Sequence, residues 1–87
     1  MKIKDGFVVR QVGGNHIVVP VGSMTVDFNG IITLNETAAF LWGQLQQEHT
    51  TDELTELLLA EYDVDKATAE QDVARFLDAL KEAELLA

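Results

Sequence analysis

At residue 35 the hydrophobic pattern of this chain changes period, and the change divides it into two kinds of structure. Before it, apolar residues come in short runs or alternate singly: Phe7-Val8-Val9-Arg10-Gln11-Val12, His16-Ile17-Val18-Val19-Pro20-Val21, Met24-Thr25-Val26-Asp27-Phe28 and Ile31-Ile32-Thr33-Leu34. Short runs rich in β-branched residues suit strands. The breaks between them are turn residues. Gly13-Gly14-Asn15 predicts a hairpin, Gly22-Ser23 a second turn, and Asn29-Gly30 a two-residue hairpin, because both residues tolerate positive φ. Pro20 lacks a ladder donor, so it should end its strand or face an edge. Three or four short antiparallel strands are expected over residues 6–34.

After residue 35 the apolar spacing is helical. Ala38, Leu41, Trp42 and Leu45 fall at i, i+3, i+4 and i+7. Leu54, Leu57, Leu58 and Tyr62 form a second stripe, and Val73, Phe76, Leu77 and Leu80 a third. Each stripe has a start signal. Asn35 suits an N-cap and Glu36 suits the positive end of the dipole. Thr50 and Glu53 have capping-box spacing, and Asp65 suits the third cap. Helices are therefore expected near 35–47, 51–62 and 65–84, with Leu85-Leu86 folding back on the sheet or the first helix. Strands first and helices afterwards is the α+β pattern. Two short helices, a tight link and a longer third also resemble a winged helix-turn-helix.

The 87 residues suit a single domain, and 47% of them are hydrophobic, enough for a small core. No cysteine is present, which excludes disulfides, thiolate nucleophiles and sulfur-ligated metals. No apolar run nears the roughly 20 residues that span a bilayer, and the N-terminus lacks the apolar region of a signal peptide. A cytoplasmic protein without membrane association is the expectation.

Catalytic chemistry is sparse. His16 and His49 are far apart in sequence, and no metal-binding histidine spacing occurs. Asp63-Val64-Asp65-Lys66-Ala67 starts like a calcium loop but has Ala67 and Thr68 where a ligand and a glycine are needed. Gly13-Gly14 lies in a hairpin and opens no phosphate-binding helix. Ser23 stands alone, with no evident base. The sequence calls for no cofactor and no enzyme activity.

Nucleic acid fits the shape but not the charge. The net charge is −9. Residues 1–34 carry +1, whereas residues 35–87 carry −10. The third predicted helix holds Lys66, Arg75 and Lys81 against six acids between Asp65 and Glu84. A recognition helix needs cations for phosphate contacts. A DNA-binding regulator is thus the weaker reading, and a structural partner of a larger enzyme is another alternative. A small antiparallel sheet does have edges, and an extended peptide can add to one as a further strand. A helix beside that edge would make it a groove. The exposed side of the third helix would offer Asp72, Arg75, Phe76 and Ala79, although the Phe76 ring is expected in the core.

The chain resembles the PqqD-like family, the precursor-peptide recognition elements of ribosomally made, post-translationally modified peptide (RiPP) pathways. The resemblance is carried by DFNGIITLNETAAFLW at 27–42, TTDELTELLLAEYDVD at 50–65 and AEQDVARFLDALKEAELL at 69–86. It implies a winged helix-turn-helix domain that binds the leader of a precursor peptide as an added strand beside the third strand, against the third helix. The peptide would then pass to a modifying enzyme, often a radical S-adenosylmethionine (radical SAM) protein. The segment before LNETAAFLW corresponds to that third strand. Asn29-Gly30 divides it, so either residues 24–28 or residues 31–34 offer the free edge. The candidate site is accordingly Met24, Val26, Phe28, Ile31 and Thr33 with Asp72, Arg75, Phe76 and Ala79. The expected state is a monomer or a weak homodimer; edge-to-edge pairing would compete with the peptide.

Overall fold

A computed structural model of the chain describes residues 1–22 and 32–87. Among the described residues it has three antiparallel strands followed by three helices, as the change of period predicts. The strands are β1 (Phe7–Val12), β2 (Asn15–Pro20) and β3 (Ile32–Leu34). The helices are α1 (Glu36–Gln44), α2 (Thr51–Glu61) and α3 (Lys66–Glu82). The expected strand at Met24–Phe28 and the Asn29-Gly30 turn lie outside the described residues.

The sheet order is β1-β2-β3. Val12 pairs with Asn15, so only Gly13 and Gly14 form the hairpin loop and Asn15 already belongs to β2. Gly13 has φ of 63°. Positive φ at the first of two loop residues is the type II′ pattern, whose twist matches the flanking strands. Pro20 is the last residue of β2, where its missing N–H costs the ladder nothing further along. β2 pairs with β3 through His16–Leu34, Ile17–Thr33 and Val18–Ile32.

The helices cover one face of the sheet. Phe7, Val18 and Leu34 project from it into a core with Leu41, Trp42, Leu45, Leu54, Leu58, Val73, Phe76, Leu77 and Leu80. Burial of each leucine-sized side chain contributes roughly 1.5–3 kcal/mol. Three members of the expected stripes, Ala38, Leu57 and Tyr62, are only half-buried. Thr55, the buried polar residue of α2, is satisfied by donating to the Thr51 carbonyl at 3.1 Å.

All three helix starts are capped as the sequence predicts. Asn35 Oδ1 accepts from the Ala38 N–H at 2.8 Å. Thr50 and Glu53 form the reciprocal capping box, at 3.2 and 2.8 Å. Asp65 Oδ1 accepts from the Thr68 N–H at 2.9 Å.

The C-terminal tail folds back on the body of the domain. Leu85 is fully buried in the core that the sheet and α1 share, and Leu86 packs against that core and forms an isolated bridge with Ile3. Lys4 N–H donates to the Leu85 carbonyl at 2.8 Å, and Ala87 N–H to that of Lys2 at 2.8 Å. Ile3 also donates to the Leu45 carbonyl at 3.0 Å, which ties this pairing to the end of α1.

Candidate functional site

β3 is three residues long and is followed at once by the Asn35 cap and α1. Among the described residues it pairs with β2 on one side only. α3 runs beside its other side. Between them lies an open cleft of about 210 Å³. Its strand wall is Ile32, Thr33 and Leu34, and its helix wall is Asp72, Arg75, Phe76 and Ala79. Asn35, Thr37 and Ala38 close the corner where the chain turns from strand to helix.

The helix wall follows from the spacing on α3. Asp72, Phe76 and Ala79 are separated by four and three residues and share a face, with Arg75 one turn from both Asp72 and Ala79. Val73, Leu77 and Leu80 point into the core and fix the rotation of the helix. Phe76 is 5% exposed, so its ring is core, as expected, and only its edge forms the cleft floor. Ala79 is exposed, and its small side chain keeps the cleft open. Asp72 is half-buried and Arg75 exposed, placing opposite charges on one wall.

Five of the nine sequence-derived site residues therefore come together here: Thr33, Asp72, Arg75, Phe76 and Ala79. Met24, Val26, Phe28 and Ile31 lie outside the described residues. Ile32 and Ala38 were absent from that set. Ala38 belongs to the expected core stripe of α1, and its half-burial reflects a position between core and cleft. Ile32 shares the inward face of β3 with Leu34, a signal present in the period of two.

A second cleft, of about 620 Å³, lies between the hairpin and α1. Val9, Gln11 and His16 line it from the strands, and Glu36, Phe40 and Tyr62 from the helical side. The Phe40 and Tyr62 rings meet edge to face, with centroids 5.6 Å apart. Burial raises the Tyr62 phenol above its ordinary range, and the Glu36 and Glu61 carboxylates add to the effect. A third hollow beside His49 is rimmed by Asp52, Glu53 and Glu56. Glu53 is held below the usual carboxylate range first by the N–H of Thr50, with the nearby His49 adding to it. Among the described residues no group of three or more potential metal ligands occurs. No described helix is long and apolar enough to cross a membrane.

The β3–α3 cleft combines a strand side without a described partner, an apolar floor and polar rims. It can take an extended segment along its length. Comparison with known proteins agrees with this architecture. The chain matches none of the curated proteins. It is similar to the solved structure of TbiB1 in complex with the TbiA(β) leader peptide, at 28% identity and a TM-score of 0.72. That match covers 99% of this chain and 94% of the other. It is also similar to a lasso peptide synthetase B1 complexed with the leader peptide, at 25% identity and a TM-score of 0.69. Here the coverage is 97% and 93%. The family of coenzyme PQQ synthesis protein D (PqqD) matches residues 15–86, from the start of β2 to the C-terminal bridge, and the chain belongs to that family.

Proposed function

We propose that residues 1–87 form a single peptide-recognition domain that binds the leader of a ribosomally made precursor peptide and passes it to a modifying enzyme. The domain itself is non-catalytic and works in the cytoplasm, as a monomer or a weak homodimer. The leader lies along β3 as an added strand, with alternate side chains directed into the cleft against α3. The observation that carries this reading is the cleft itself, which sets a strand without a described partner on one side beside a helix with an apolar floor. The two similar structures, each described as a complex with a leader peptide, support it.

The energetics divide between backbone and side chains. Each ladder hydrogen bond contributes roughly 0.5–1.5 kcal/mol net, and a three-residue strand offers few of them. Most of the affinity must then come from apolar leader side chains seated on Ile32, Ala38, Phe76 and Ala79. One such side chain contributes about 1.5–3 kcal/mol when fully buried. Asp72 and Arg75 set charge preference at the rim. The acidic surface of α3 disfavours a nucleic acid in the same place. A radical SAM protein is one kind of enzyme that would receive the peptide.

The test is an NMR titration of the nitrogen-15-labelled domain with the leader encoded by the short reading frame beside its gene. Saturable shifts confined to residues 32–38 and 69–83, with any in 24–31, are the expected result. Shifts centred on Gln11, His16, Phe40 and Tyr62 would move the site to the second cleft and overturn the strand-addition reading.

A further inference from the structure

We propose that the outer face of the sheet is a second docking surface, taken by the enzyme that receives the peptide, through an apolar patch bearing a carboxylate opposite Arg10. The inference rests on the leader-binding reading above.

Side chains alternate across a strand. Phe7, Val18 and Leu34 point into the core, so Val8, Arg10 and Val12 of β1 point the other way. The register places Val19 opposite Val8, Ile17 opposite Arg10, and Thr33 opposite Ile17 on that same outer face. Val8 is 39% exposed and Val12 57% exposed. The buried core lies wholly on the opposite face, with the helices. Outward positions of a two-layer fold are ordinarily polar. Here Val8, Val12, Ile17 and Val19 surround one cation, with Asn15 and Thr33 at the margins.

Size and charge select the occupant. Two strands of six residues and one of three, about 4.8 Å apart, give a footprint on the order of 250 Å². A stable interface needs about 800 Å² per partner, so this patch is insufficient alone. A second copy is also a poor fit. Arg10 is the one cation among the described outward strand positions, and none of those positions carries a carboxylate, so a second copy seated face to face offers Arg10 no partner. Each copy also carries a net charge of −9. A partner with a carboxylate at that point meets neither objection.

Continuity supplies the missing area. A leader strand along β3 would lie about 4.8 Å beyond it and extend the same sheet. Its alternate side chains would face outward beside Thr33, level with Ile17 and Val19. An enzyme seated there contacts the domain and the bound peptide together, and its grip on the empty domain is weak.

The test uses two variants, Val8→Glu/Val12→Glu and Arg10→Glu, with the leader and the modifying enzyme encoded beside the gene. Dispersed amide spectra verify folding. Leader affinity by NMR titration should stay within about twofold of wild type, because neither variant touches the cleft. Affinity of the leader-loaded domain for the enzyme should fall at least about tenfold for the double variant. For Arg10→Glu it should fall about fivefold, with an altered salt dependence. Unchanged enzyme affinity in both variants, with folding and leader binding intact, would overturn the proposal. So would a wild-type dimer in sedimentation velocity that Val8→Glu/Val12→Glu abolishes, since the occupant would then be a second copy. A wild-type domain that does not bind the leader removes the underlying reading instead, and the first titration alone reveals it.

Discussion

The Leu85 N–H donates to the Leu80 carbonyl at 2.9 Å, across the residue that ends α3. With the Glu84 N–H on the Lys81 carbonyl at 3.1 Å, it makes a Schellman closure. The closure requires the left-handed region at position 84, and Glu84 has φ of 59°. Glycine adopts that region without cost; an exposed glutamate at a helix C-terminus adds an unfavourable dipole interaction. Glu84→Gly should therefore raise stability by about 0.5–1 kcal/mol. In a domain of this size that is a rise of roughly 2–8 °C in Tm by calorimetry.

The Asn35 cap fixes the corner between β3 and α1. Its Oδ1 accepts from the Ala38 N–H and also from the Thr37 hydroxyl, at 3.0 Å. Asn35→Ala should cost about 1 kcal/mol, and Asn35→Asp, which keeps an acceptor, much less. Thermal or urea midpoints that do not separate the two substitutions would contradict the cap.

Two caps also impose a pH dependence. The Asp65 carboxyl is lowered from its ordinary 3.8 by Thr68, through its side-chain and backbone donors. The Glu53 carboxyl is lowered from its ordinary 4.5, chiefly by the Thr50 N–H. A depressed carboxyl adds stability that is complete above its ordinary value and is lost as pH falls through the folded value. Wild-type Tm should thus decline on acidification below about pH 4.5. The double variant Glu53→Gln/Asp65→Asn should decline less steeply, as followed by circular dichroism.

Tyr62 is the sole tyrosine, so its phenolate absorbance reports one site. Burial first, then the Glu36 and Glu61 carboxylates, raise its midpoint above 10.0. Glu36→Gln should lower the midpoint. An identical titration in the variant would exclude a field from Glu36 at the second cleft.

Ala79 tests the β3–α3 cleft without touching the core, because it is exposed and in the α3 interior. Ala79→Glu fills the cleft with a charged side chain and should weaken leader binding at least about tenfold while leaving Tm within about 0.5 kcal/mol equivalents. Phe76→Ala is the poorer test, since loss of a buried ring costs about 3–5 kcal/mol in stability.

The legible parts of this fold are those governed by local chemistry. Asn35, Thr50, Glu53 and Asp65 announce helix starts because their side chains bond backbone within three residues. The α3 stripe is readable because Val73, Phe76, Leu77 and Leu80 all meet a partner. Ala38 and Leu57 have the right spacing but less to pack against, which periodicity alone does not register. The pairing of Ile3 with Leu86 was invisible for a different reason. Met1-Lys2-Ile3-Lys4 has no periodic signal, and the bridge joins opposite ends of the sequence. In the cleft, the helix wall was readable from i, i+3 and i+4 spacing. Ile32 and Ala38 depended on how closely α3 approaches β3, a tertiary distance.

The bridge between Ile3 and Leu86 has a topological consequence. Residues 2–4 and 85–87 run side by side, so the two ends of the fold leave from one place. A circular permutant that joins them through a short linker and opens at Gly13-Gly14 would keep every helix and both sides of the cleft. By the same geometry, the fold can be spliced into a surface loop of a larger polypeptide with its entry and exit points already adjacent.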